Sequence, residues 1–264
     1  MPTWLYEMSS LRAALLLVAF VELISLIGLI LTRRFLLPKF HFGEGINDAI
    51  SGTVQAIGVF YGITVGLIAV AVWNTYTSAS GLVSNEATSI ASLYRDVNGY
   101  PSPLREELRG KLRDYTVFVI NDVWPAQKRG QPPKGGVALI DEFQRTLYAF
   151  EPATQSQIAL HGETLRAYNQ LVQYRNLRID AVNSGLSLTM WAVIWLGAAI
   201  SIGVAYFYRI EDVKLHAALV VLMAGFLALV LFMITINDKP FYGYASIPST
   251  PYQTILDNVI DRSQ

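Results

Sequence analysis

Residues 53–73 read TVQAIGVFYGITVGLIAVAVW, and residues 74–97 follow as NTYTSASGLVSNEATSIASLYRDV with no proline between them. The first part carries no charge and is long enough to cross a hydrocarbon core of about 30 Å as a helix. The second part is polar, yet Val83, Ala87, Ile90, Leu93 with Tyr94, and Val97 step by three and four. That is the spacing of one buried helical face. A single helix is therefore expected to run from the membrane into water and to end at Asn98-Gly99-Tyr100-Pro101. At 1.5 Å per residue, Thr53 to Val97 makes a rod of about 65–70 Å.

Three further stretches, Leu11–Leu31, Trp191–Tyr208 and Ala217–Ile236, are similarly apolar and hold no Lys or Arg beyond Arg12 at the very start of the first. The chain of 264 residues is 53% hydrophobic and 15% charged, against about 25% charged in a soluble domain. The expected fold class is all-α: a polytopic membrane protein with four transmembrane helices and a large helical extramembrane domain. That domain is built on extensions of the second and third spans. The expected division is 1–73 (two spans and their loop), 74–185 (extramembrane domain), 186–236 (two spans) and 237–264 (extended segment and short helix). Leu11–Leu31 exceeds a signal-peptide core and lacks a basic leader, so it is read as a retained helix. A multi-pass protein of the plasma (inner) membrane follows.

The extramembrane part should begin with an amphipathic helix, Leu104–Trp124, with Leu104, Leu108, Leu112, Tyr115, Val119 and Val123 on one stripe. Pro125–Gly136 reads as a turn region and Val137–Phe150 as a shorter helix. Thr154 can cap the next helix. There Ile158, Leu165, Val172 and Ile179 recur every seven residues with Tyr168 and Val182 between, as in a bundle seam. The pattern runs into the third span, which predicts a continuous helix of about 80 Å. Arg209–Asp212 is a tight turn, Asn237–Gly243 ends the fourth span, and Tyr252–Arg262 forms a terminal amphipathic helix.

Net charge is zero, from 20 basic and 20 acidic residues, which offers no concentrated basic face for nucleic acid. Cysteine is absent, so disulfides, thiolate metal sites and Cys nucleophiles are excluded. His41, His161 and His216 lie in separate segments; His41 with Glu44 is the only near pair, and two ligands do not make a metal site. GQPPKGG (130–136) lacks the strand and the Ser/Thr of a phosphate loop. No enzyme, cofactor or metal centre is expected.

The informative polar residues lie in or beside the spans. Glu22 sits near the middle of the first, where a carboxylate costs at least about 2.5 kcal/mol. Tyr61, Thr64 and Ser201 are its candidate donors, and it reads either as a proton or ion relay or as a neutral acid bridging helices. Gly58, Gly62 and Gly66 fall four apart on one face, which allows close helix approach within or between subunits. Thr53, Gln55, Tyr61, Thr64 and Asn74 with Glu22 and Asp238 are the candidates to face an ion path. Asp238 and Lys239 read equally as interface anchors. Glu86 and Arg95, nine apart, cannot pair on their own helix, so inter-helix salt bridges are expected.

At Glu86-Ala87 through Leu93-Tyr94-Arg95-Asp96, then Trp124-Pro125, then Asp238-Lys239-Pro240-Phe241-Tyr242-Gly243, the chain resembles the bestrophin-like family of prokaryotic membrane proteins. The Arg33-Arg34 and Leu37-Pro38 loop before a Gly-rich span fits as well. Kinship with bestrophins implies a pentameric anion channel with four membrane helices per subunit, a large helical cytosolic domain and a pore lined by the second helix, here Thr53–Trp73. Two functions are therefore carried forward. One is an oligomeric channel or permeation protein whose partners are the bilayer, further copies of itself and small inorganic ions. The other is a non-conducting scaffold or sensor whose helical domain binds a protein. Orientation stays open: the balance of Lys and Arg leans towards cytoplasmic short loops, and the resemblance implies a cytosolic domain.

Overall fold

The computed structural model describes residues 8–40, 43, 45–131 and 135–263. His41 with Glu44, and Pro132–Lys134 of the GQPPKGG stretch, lie outside the described residues. Helices account for the fold: α1 (Ser10–Leu31), α2 (Ile46–Val97), α3 (Leu104–Phe118), α4 (Trp124–Lys128), α5 (Gly136–Tyr148), α6 (Gln155–Val182), α7 (Leu188–Ala205), α8 (Val213–Asp238) and α9 (Thr250–Ile255). Four of them, α1, α2, α7 and α8, are long and apolar enough to cross a membrane. The contacts divide into two compact units, one of residues up to Thr75 with Gly185–Asp238, the other of Tyr76–Ser184 with Lys239–Gln264. α2 runs through both as one helix of 52 residues.

In the membrane unit α1 packs on α8 through a stripe repeating every four residues: Ala13, Leu17, Val21, Ser25 and Leu29. The facing stripe of α8 includes Val220, Ala224, Ala228 and Leu231. Its small residues permit the close approach that lipid, being as apolar as Leu, would not otherwise drive. Ile194, Ala198 and Ile202 of α7 complete the core with Val65 and Val72 of α2. The remaining apolar side chains of these helices, among them Phe20, Leu23, Leu67, Leu196 and Phe226, are exposed and meet hydrocarbon. Asn47 fastens the start of α2 to the α7–α8 turn by a reciprocal pair, donating to the Arg209 carbonyl (3.1 Å) and accepting from its N–H (2.9 Å).

The helical unit buries Val83, Ala87, Ile90, Leu93, Tyr94 and Val97 of α2, the stripe its spacing predicts, against Leu108, Leu112 and Tyr115 of α3. α5 packs on α3 through Ile140, Phe143 and Leu147. The carboxy-terminal segment closes this core: the Trp124 indole donates to the Ile247 carbonyl (2.9 Å) and Gly243 N–H to the Lys128 carbonyl (3.0 Å).

Three expectations are corrected. The helix begun at Thr154, capped reciprocally with Gln157 (3.2 Å in both directions), does not continue into the third span; α6 ends at Val182 and α7 starts at Leu188. The break satisfies its own backbone. Ser184 Oγ donates to the Ala181 carbonyl (2.7 Å), and Ser187 Oγ accepts from Met190 N–H (3.3 Å). The α6 seam is also rotated. Thr164, Tyr168, Leu171 and Arg178 are its buried residues, whereas Ile158 is 50% exposed. A turn of π-helix at Val119–Val123 separates α3 from α4, where one continuous helix is expected from the pattern.

Candidate functional site

The membrane half of α2 has two contrasting faces. Ile50, Val65 and Val72 point into the unit. Tyr61 joins them: its hydroxyl donates to the Ile194 carbonyl (2.9 Å) and its ring fills the space a side chain at Gly197 would need. Thr53, Gln55, Gly58, Gly62, Thr64, Gly66 and Asn74 are exposed, with Gln55 and the three glycines on one flank of the helix and Thr53 and Thr64 on the opposite flank. A Cβ added at Gly58, Gly62 or Gly66 would meet nothing within 4 Å. Those glycines therefore serve no contact inside the chain. Thr53 and Thr64 each donate to the carbonyl four residues back, at 3.0 and 2.8 Å, which leaves their oxygens able to accept from outside.

The part of α2 in the helical unit exposes Gly81, Ser84, Asn85, Thr88, Ser92 and Arg95. Positions 81, 84, 88, 92 and 95 step by three and four and so share a face. It is lined by hydroxyls and amides, and Arg95 is the charge at its end.

The other candidates are placed as supports. Glu22 is half-buried, with Oε1 against Gly225 of α8, where a side chain would collide with it at 2.8 Å. Its three expected donors are engaged elsewhere: Tyr61 on Ile194, Thr64 on Phe60 and Ser201 on Gly197 (2.8 Å). Thr64 and Ser201 turn to carbonyls of their own helices, the nearest acceptors for a hydroxyl in hydrocarbon, while Tyr61 reaches across to α7. Asp238 is buried, and its Oδ1 accepts from Leu186 N–H (2.6 Å), holding the start of the third span. Lys239 Nζ donates to the Ser184 carbonyl (3.0 Å). Both bonds are made to the backbone of the segment between α6 and α7.

A buried inter-helix ion pair of the kind expected at Glu86 organises the helical unit, with Arg178, which the sequence does not single out, as the partner. Arg178 of α6 meets Glu86 of α2 through Nε to Oε2 and Nη2 to Oε1 (3.2 Å). Tyr115 donates to Glu86 Oε1 (2.7 Å), and the guanidinium lies 5.6 Å from the centre of the Trp124 ring. Burial, then the Glu86 charge, pushes the Tyr115 and Tyr252 hydroxyls well above the usual tyrosine range. Burial opposes the charge of Arg178, but Glu86 outweighs it and keeps the guanidinium ionised. Arg95 remains on the surface. Among the described residues no three His, Asp or Glu side chains gather to hold a metal ion.

The bestrophin-like domain family matches residues 18–252. The chain belongs to the bestrophin-like family. No curated protein matches its sequence. Solved structures similar to it include two single-residue variants of a bacterial bestrophin homologue from Klebsiella pneumoniae. One has a TM-score of 0.69 at 11% identity, over 95% of this chain and 98% of that one. The other has a TM-score of 0.65 at 13% identity, over 97% and 98%. The fold is thus shared across the whole length of both chains, and the protein is a multi-pass protein of the plasma membrane.

Proposed function

We propose that the protein is an oligomeric membrane channel or permeation protein in which α2 helices from several copies surround the path. One observation carries this reading: the outward face of α2, with Gly58, Gly62 and Gly66, faces nothing within its own chain. Small residues four apart let backbones approach closely in lipid. Four helices alone are too thin to enclose an ion-sized pore, so a second copy is the natural cover for this face. The exposed hydroxyls and amides of Thr53, Gln55, Thr64 and Asn74, and those of Ser84, Thr88 and Ser92, can replace part of an ion's hydration shell. Kinship with bestrophins favours small inorganic anions as the solute. Tyr61 ties the lining helix to α7, Asp238 holds the start of α7, and Glu22 packs against Gly225 of α8.

A non-conducting scaffold would instead offer a contiguous apolar patch on the helical unit. The large apolar residues exposed there, Val137, Tyr148, Ile158, Leu177 and Tyr244, are spread over three segments, which favours the channel. Native mass spectrometry of the full chain in mild detergent tests the assembly. A single oligomer of defined size is expected; monomer in both detergent and nanodiscs contradicts it.

A further inference from the structure

A groove of about 480 Å³ opens between α1, α7 and α8 of the membrane unit, with Phe20, Ile24, Gly28, Trp195, Ala199 and Tyr206 in its wall. Its lining is apolar apart from Ser25 and Tyr206, and the Ser25 hydroxyl is spent on the Val21 carbonyl (2.7 Å). Along α7 it runs from Trp195 to Tyr206, about 16 Å at 1.5 Å per residue. Half of a hydrocarbon core of about 30 Å is the depth of one leaflet. The two lengths agree.

The Tyr206 end of the groove is marked by cations. Arg33 Nη1 donates to Nδ1 of His216 (3.1 Å), and Nε2 of that ring donates to the carbonyl of Ala205 (3.1 Å), the residue before Tyr206. Both partners require the same neutral tautomer, so His216 fixes the guanidinium and leaves most of its N–H donors unspent. Arg34 is exposed and lies 5.7 Å from the centre of the Phe35 ring. Among the described residues neither arginine meets a carboxylate. Two uncompensated guanidiniums at the end of a membrane helix match a phosphodiester, which accepts paired N–H bonds.

We propose that this groove holds an acyl chain of an anionic phospholipid whose phosphate is bound by Arg33 and Arg34. An anionic phospholipid supplies an apolar chain for the groove and a counter-charge for the arginines in one molecule; a second copy of the chain is the rival occupant that the test separates.

The full chain is to be reconstituted with equal phosphatidylglycerol and phosphatidylcholine, re-extracted in mild detergent, and its retained lipid measured by mass spectrometry. Phosphatidylglycerol should be enriched at least about tenfold, as expected of two basic residues at an anionic surface. Arg34→Gln should cut that enrichment, and Arg33→Gln with Arg34→Gln should abolish it while lipid is still retained. Ala199→Phe, which fills the groove from a lipid-exposed position, should lose the retained lipid without lowering the melting temperature. Equal retention of the two lipids by the wild type, or full retention by Ala199→Phe, overturns the proposal. So does loss of the enrichment in millimolar inorganic phosphate, which assigns the arginines to free anions. A disulfide-linked dimer of Ala199→Cys, in a chain with no other cysteine, overturns it in favour of a subunit contact.

Discussion

Glu86 and Arg178, 92 residues apart in sequence, form a two-point ion pair in which both side chains are almost wholly hidden from solvent. The pair joins α2 to α6 at the centre of the helical unit. Removing one partner strands a buried charge, at a cost of about 3–5 kcal/mol. Glu86→Gln and Arg178→Met should each lower the melting temperature of the detergent-solubilised protein sharply. The double replacement Glu86→Leu with Arg178→Met should recover much of the loss, because no charge then remains unpaired. A double variant as unstable as the sum of the single ones counts against this account.

Alkaline stability reads the same cluster. Tyr115 and Tyr252 have folded-state pKa values well above the usual range, from burial and then the Glu86 charge. Below the unfolded value of about 10 both states hold the proton and nothing is lost. Above it the unfolded chain releases protons that the folded one keeps, so stability falls as pH rises past about 10. Absorbance at 295 nm should show two tyrosines ionising only with unfolding. Tyr252→Phe should flatten this limb, since it removes one of the two buried hydroxyls held beside Glu86. Tyr115→Phe should also weaken the neutral form, by removing a bond to Glu86.

Two glycines separate folding from assembly. Gly62 has open space where a side chain would go, and Gly197 has the Tyr61 ring. Gly62→Leu should leave the melting temperature of the monomeric unit intact and disrupt the oligomer, far more than Ala56→Leu does. Gly197→Val should destabilise the fold itself by about 1–3 kcal/mol through overpacking. Identical oligomer profiles for Gly62→Leu and Ala56→Leu would remove the packing role of the glycine face.

Glu22 Oε1 lies against Gly225 of α8. Glu22→Gln keeps its shape, so a purely packing role predicts unchanged folding and the same pH profile of flux between pH 5 and 8. Loss of pH dependence in the Gln variant would instead make Glu22 a titrating part of the path.

The long α2 was legible because its burial pattern is local: residues three and four apart alternate between apolar and small polar, and no breaker interrupts them. The cap at Thr154 was legible for the same reason. The seam of α6 was not. Its buried positions include Thr164 and Arg178, which an apolar count passes over, and the partner of Arg178 lies on another helix. Asn183-Ser184-Gly185 with Ser187 carries the signals of a helix end and a new start, but the seven-residue seam that reaches Val182 and the apolar span that follows read together as one helix. At Glu22 the chemistry was visible and the neighbour was not. Only the packing of α1 on α8 brings Gly225 beneath it, and of the hydroxyls read as donors Thr64 and Ser201 turn to their own helices while Tyr61 bonds α7.

The exposed stripe of α2 in the helical unit offers the most direct test of the central claim, because the chain has no native cysteine to confuse the labelling. Thr88→Cys places a thiol on that stripe. Purified Thr88→Cys protein in planar bilayers should conduct, and a charged methanethiosulfonate reagent should change the current through it while leaving the wild type unaffected. A current indifferent to labelling at Thr88, or no current from well-folded wild-type protein, would contradict a path lined by α2.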